Sequence, residues 1–226
     1  LDRGLVAVMA QDGGGMLVSW RGLAADPAGT RFILYRDGKP VTPAPITASN
    51  YLDEAGSPKP RYTVSVAIGG RTQPQTRPAL IAAAGYLSIP LDLPAPRTAP
   101  DGTPYTYEAN DVSVGDLDGD GRYELIVKWY PSIAKDNAFA GHTGNTLFDA
   151  YTLEGKKLWR IDMGPNIRSG AHYTQFMVFD FDGDGPAELV AKTADGAIDG
   201  AGRIIGDGKA NWVEDVGDAP SGQRTG

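Results

Sequence analysis

All-β is the fold class this sequence predicts, and three observations predict it. Apolar runs of strand length recur along the chain, separated by Gly, Pro, Asn and Asp turn signals. An acidic, Gly-rich loop leading straight into an apolar run occurs twice, at Asp116 and again 64 residues later at Asp180. No segment of useful length carries apolar residues at helical spacing. Composition agrees: Gly 30 and Pro 17 in 226 residues, with 41% hydrophobic residues, describe a globular, turn-rich chain rather than a disordered one. The length suits one large or two small domains.

Residues 1–85 read as a small β-sandwich. Gly4–Val8 and Met16–Trp20 are strand-like, with a turn at Asp12-Gly13-Gly14-Gly15 between them. Arg31–Arg36 runs into the hairpin signal Asp37-Gly38. Asn50–Leu52 and the alternating Arg61–Val66 complete the set, and several short strands with turns between them indicate a sandwich. A Trp on an early strand and a Tyr on a late one resemble the fibronectin type III pattern, so Trp20 and Tyr62 are expected in the core. Nothing in this part suggests chemistry, and its expected role is scaffold. In residues 86–109, Pro90, Pro94, Pro96, Pro100 and Pro104 disfavour regular elements and predict an extended connector.

The two loops carry the strongest chemical signal. Asp116, Asp118, Asp120 and Glu124 are spaced as Asp180, Asp182, Asp184 and Glu188 are, with glycines at 119, 121, 183 and 185. Carboxylates at loop positions 1, 3 and 5 converge only if the backbone turns sharply, which glycine allows by taking positive φ. Ca²⁺ takes six to eight oxygens at about 2.3–2.6 Å, and such a loop supplies them. An EF-hand closes on an acid at position 12 and continues as a helix. Here the acid is at position 9 and Leu125-Ile126-Val127 or Leu189-Val190-Ala191 follows, so the expectation is a calcium loop within a β protein. Solvated acidic turns offer the same residue types. The repetition favours a metal.

From Asn110 onward the pattern is repetitive β. Leu147–Leu153 reads as a strand, Glu154-Gly155 as a turn and Lys157–Asp162 as the next strand, a hairpin of the kind that forms the outer pair of β-propeller blades. Loop and strands then recur, which predicts the first blades of a propeller over 110–226. A propeller needs at least four blades, and 117 residues supply at most two and a half, so the expectation is the N-terminal portion of a longer protein.

Other classes are disfavoured. A net charge of −7 argues against nucleic acid as a partner, because phosphate binding needs clustered Lys and Arg. The lack of cysteine excludes disulfides, zinc-thiolate sites and thiol nucleophiles. No apolar run approaches a membrane span. The chain opens in strand-like sequence without a leader, as a mature protein would.

LDRGLVAV (1–8), SWR (19–21), YRDG (35–38), SVGDLDGDG (113–121), KW (128–129), DAYTLEGKKLWRIDMG (149–164), NIRSGAHYTQFMVFDFDGDG (166–185) and KTADG (192–196) are similar to the rhamnogalacturonan lyases of polysaccharide lyase family 11. The resemblance spans nearly the whole chain in the same order. It implies an N-terminal sandwich, an eight-bladed Ca²⁺-carrying propeller, secretion, and β-eliminative cleavage of the rhamnose–galacturonate backbone of pectin. Asn110 matches an asparagine that contacts substrate in that family, although it also suits a turn cap. The family often has Asp directly after KW; here Tyr130 stands there, and a tyrosine can stack on a sugar face. Arg168 and His172 are catalytic residue types in a closely matching run, where a structural role is an equal alternative. No residue is assigned as catalytic, and the general base is expected in later blades. Asp195 and Asp199 are either a further calcium site or DG turns. A non-catalytic carbohydrate-binding or adhesion module would use the same calcium loops and stands as the alternative function.

Overall fold

The structure, a computed structural model, describes residues 3–11, 13–136, 138–170 and 172–213. Asp12 of the first turn and position 171 of the run 166–185, both within stretches quoted above, lie outside them, as do residues 214–226. Sixteen strands and no helix are found among the described residues. The chain divides into two compact units, Leu1–Ser88 and Ile89–Gly226.

The first unit comprises β1 (Val6–Met9), β2 (Met16–Ser19), β3 (Arg31–Arg36), β4 (Lys39–Pro40), β5 (Asn50–Asp53), β6 (Tyr62–Ile68), β7 (Arg71–Thr72) and β8 (Leu80–Ala82). They form two four-stranded sheets, ordered β5-β2-β1-β8 and β4-β3-β6-β7, with β8 parallel to β1. Alternation sets the inner face: Met16 and Val18 are buried while Leu17 and Ser19 are exposed. Ala7, Met16 and Val18 from one sheet meet Phe32, Leu34, Tyr62, Val64 and Val66 from the other in a single core. Trp20 and Tyr62 are in that core, and the Trp20 ring stands edge-on to Phe32 at 5.6 Å.

Two carboxylates are tied into this unit. Asp53 accepts from Arg36 Nη1 at 2.8 Å and from the Tyr62 hydroxyl at 2.9 Å. Burial, and then the Asp53 contact, pushes the Tyr62 phenol up to about 12. Asp26 accepts from both Arg3 terminal nitrogens at 2.6 and 2.8 Å and from the Leu23 amide. Those bonds, the Arg3 side chain first, hold its carboxyl at about 2. Because folding lowers this pKa, the stabilisation is fully present above the unfolded value of about 3.9 and is lost as the pH falls through the folded value. Asp26→Asn should therefore lower the melting temperature at pH 7. The gap to wild type should close between about pH 4 and pH 2. A gap of constant size across that range would contradict the assignment.

The second unit contains β9 (Arg97–Thr98), β10 (Pro104–Tyr105), β11 (Tyr107–Gly115), β12 (Glu124–Pro131), β13 (Leu147–Tyr151), β14 (Lys157–Asp162), β15 (Phe176–Phe179) and β16 (Glu188–Ala191). The connector expected at 86–109 is thus not free of regular structure. Its prolines occupy sites that donate no ladder bond, β9 and β10 pair between them, and β11 begins at Tyr107. Strands β11-β12-β13-β14 form an antiparallel sheet in chain order, and β15 and β16 form a hairpin.

Because β12 and β13 are central, their residues are buried on both faces. On one face Tyr105, Tyr107, Val127, Trp129, Leu147 and Tyr151 cluster. On the other, Ile126, Phe148 and Ala150 pack against Phe176, Val178, Leu189 and Ala191 of the β15–β16 hairpin. Gly115 makes that approach possible, since a Cβ there would meet Val178 Cγ1 at 2.6 Å and Ala187 Cβ at 2.9 Å.

A buried ionic group crosses three strands of the sheet. Asp149, fully buried, accepts from Trp129 Nε1 (2.8 Å), the Tyr151 hydroxyl (2.8 Å) and Arg160 Nε and Nη2 (both 2.6 Å). Burial, and next the Asp149 contact, raises the Tyr151 phenol. Asp149→Ala removes the acceptor and strands these donors. It should cost about 3 kcal/mol, read as a lower urea midpoint in tryptophan fluorescence; an unchanged midpoint would remove Asp149 from this role.

Candidate metal loops and saccharide face

Each acidic loop joins two paired strands: 116–123 links β11 to β12, and 180–187 links β15 to β16. The glycines take the left-handed turn the spacing demanded, with φ of 73° and 87° at Gly119 and Gly121 and 78° and 114° at Gly183 and Gly185. Asp116, Asp118 and Glu124 bring carboxylate oxygens within 4.8 Å of one another, and Asp180, Asp182 and Glu188 do the same. Each trio offers a metal ion three carboxylates.

The fourth acid of each set lies outside the trio. Asp120 Oδ1 accepts the Arg122 amide at 2.7 Å, so this carboxylate caps the turn. Asp184 joins no convergent group, and its amide donates to Asp182 Oδ1 at 3.1 Å. The remaining loop bonds tie backbone to ligand side chains. Asp116 Oδ2 accepts Gly121 N at 2.8 Å, Glu124 Oε2 accepts Leu117 N at 2.8 Å, and Glu188 Oε2 accepts Phe181 N at 2.9 Å.

One atom tests whether these residues fit a cation. Asp116 is 6% exposed, and its Oδ1 is buried with no hydrogen-bond partner. A buried carboxylate oxygen without a donor is costly, and a cation satisfies it. Electrostatics point the same way. Burial raises the Glu124 carboxyl, the Leu117 amide opposes this, and the charges of Asp118, Asp116 and Asp120 raise it further. The charge of Asp182, ahead of all other causes, raises Asp184. Acids that resist sharing their charge are relieved by a cation among them.

Chelation should therefore lower the melting temperature, because a ligand that binds only the folded state stabilises it by mass action. Asp116→Ala should remove most of that response and impair folding more than ligand preference, with Asp180→Ala acting in the same direction. An equal melting temperature with and without chelator would overturn the metal reading.

Asn110 and Tyr130 share one face of the first sheet. Pairing sets Ala109 against Trp129 and Val112 against Val127, so Lys128 alone faces the two residues Asn110 and Asp111 across a β-bulge. Tyr130 pairs with Glu108, one step further along on the face that Lys128 occupies. Asn110 is exposed and Tyr130 half-buried, so both are reachable. The role of Lys128 was not visible in the sequence. It is 1% exposed, and its ammonium donates to Asp111 Oδ2 at 3.2 Å and to the Tyr173 carbonyl at 3.0 Å.

The other polar candidates make contacts within their own unit. Arg168 donates to the carbonyls of Asp136, Phe139 and Gly141, which holds the loop after β12 in shape. His172 is exposed, with Nδ1 3.2 Å from Asp136 Oδ2. Asp195 accepts from the Asp207 amide and Trp212 Nε1, and Asp199 accepts from the Ala201 and Arg203 amides and Arg203 Nε. Those two acids cap turns and belong to no metal-compatible group among the described residues.

Fold and loops together define an all-β protein of two units with paired acidic loops able to hold metal ions. Comparison with known proteins names its family. Residues 86–224 match the C-terminal domain of rhamnogalacturonan lyase family 11, and residues 1–81 match the β-sheet domain of rhamnogalacturonan I lyases. The chain belongs to rhamnogalacturonan lyase family 11. It is 53% identical over 222 residues to the rhamnogalacturonan endolyase YesW of Bacillus subtilis and 52% identical over 223 residues to the exolyase YesX of the same organism. Each match covers 98% of this chain, which spans 36% of the length of those relatives. Among solved structures, the lyase YesW superposes with a TM-score of 0.89 at 54% identity, over 95% of this chain and 36% of that one. The Bacillus licheniformis lyase matches with a TM-score of 0.88 at 49% identity, over the same shares.

Proposed function

We propose that the protein to which these residues belong is a secreted, pectin-degrading lyase that cleaves the rhamnose–galacturonate backbone of rhamnogalacturonan I by β-elimination. The observation that carries this reading is the identity of 53% and 52%, over nearly the whole chain, to relatives named as an endolyase and an exolyase of that polymer. In the reaction a base removes the proton at C5 of galacturonate. The electron pair becomes the C4–C5 double bond, and the oxygen on C4 departs with the other half of the polymer, so no water is consumed. Charge develops on the uronate carboxylate and must be stabilised by cationic groups.

The first unit acts as a fibronectin type III-like scaffold in this reading, and the sheets of the second are the first blades of a Ca²⁺-binding, eight-bladed propeller. The internal repeat supports the blade reading. Ile126 and Lys128 lie under the β15–β16 hairpin, whereas Val190 and Lys192, their counterparts 64 residues on, are exposed with Met177 and Phe179. A further sheet of the same propeller would cover them. Bound in the two loops, Ca²⁺ would offset the charge of Asp116, Asp118 and Glu124 and of Asp180, Asp182 and Glu188. Asn110 and Tyr130 would meet the sugar, the amide by hydrogen bonding and the ring by stacking.

The test is absorbance at the wavelength of the unsaturated uronate, with rhamnogalacturonan as substrate, with and without chelator. A chelator-sensitive rise is expected. A flat trace with retained polysaccharide binding would replace this reading with a non-catalytic carbohydrate-binding module.

A further inference from the structure

The β-bulge at Asn110–Asp111 interrupts the ladder between β11 and β12. A bulge inserts one residue, bends the strand and re-aims a side chain. What holds this one is a cation out of water. Lys128 sits opposite the bulge on the central strand β12 at 1% exposure, among Ile126 and Phe148 on the face covered by β15–β16. Its ammonium donates both to Asp111 Oδ2, within the bulge, and to the Tyr173 carbonyl, just before β15. Asp111 is itself largely exposed, with 61% of its side chain open.

A lysine in such a place carries a desolvation cost that a Met or Leu of similar volume would not. Core packing alone gives no reason for a charge there. Its two acceptors do: one end of the contact is the residue beside Asn110, and the other is the strand entry of the neighbouring hairpin.

We infer that Lys128 is a positioning residue for saccharide binding, acting through Asn110: its contact with Asp111 fixes the bulge and thereby the direction of the Asn110 amide. This rests on the reading of Asn110 as a sugar contact. Lys128 itself does not touch the sugar. Lys128 is 1% exposed, whereas Asn110 is open to solvent.

The experiment is a double-mutant cycle on the protein with Asn110→Ala, Lys128→Met and the pair, following steady-state kinetics on rhamnogalacturonan and melting temperature in parallel. Lys128→Met, which keeps the volume, should raise KM about tenfold with kcat within about threefold. The double variant should be no worse than Asn110→Ala alone, the non-additivity of two residues acting through one contact. If Lys128→Met lowers the melting temperature and leaves KM unchanged, Lys128 is structural only and the inference falls. If the two effects add, Lys128 acts by another route and the inference falls while the reading of Asn110 stands. If Asn110→Ala leaves KM unchanged, the reading of Asn110 fails and takes this inference with it.

Discussion

The second unit depends on one fully desolvated carboxylate. Asp149 lies at the middle of β13 with no access to water, and such a charge is tolerable only if donors surround it. Trp129 supplies one from β12, Tyr151 one from β13 itself and Arg160 two from β14. Each donor demands a particular register, so one acid penalises any slip among three strands at once. With β12 held, Lys128 and Glu124 are held too, and with them the bulge at one end of β11 and the acidic loop at the other.

Much of this was legible from residue order. Strands Arg31–Arg36 and Lys157–Asp162 match their expected limits, because a hairpin signal or turn bounds each apolar run. Trp20 and Tyr62 are in the core as large aromatics on short strands should be. The acidic loops show in the sequence because bringing carboxylates together on one turn imposes spacing on consecutive residues. The Pro-rich stretch hides its short strands for a local reason: proline forbids donation within a ladder, yet β9 and β10 need only two residues each and place Pro104 at a strand start.

What sequence order hides is partnership at a distance. Asp149 sits in the run LFDAYTL, where nothing marks it as an acceptor for a Trp twenty residues earlier. Lys128 reads as an ordinary strand lysine until the ladder sets it against Asp111 and the hairpin covers it. The position-five acids, Asp120 and Asp184, differ from the other acids of their loops. The spacing offers them as ligands, while the backbone puts the Asp120 carboxylate on the Arg122 amide and leaves Asp184 outside the convergent trio.

The extra residue in β11 also works as a parity switch. Tyr107 and Ala109 precede it, Val112 and Val114 follow it, and pairing puts all four on the same side of the sheet, although an uninterrupted strand would divide odd from even numbers. Removing either Asn110 or Asp111 would restore simple alternation and turn Tyr107 out of the cluster it shares with Trp129 and Leu147. The extra residue is thus a condition for the hydrophobic layer that Tyr107 joins. At this point of the chain the number of residues, and not only their identity, sets which side chains reach the core.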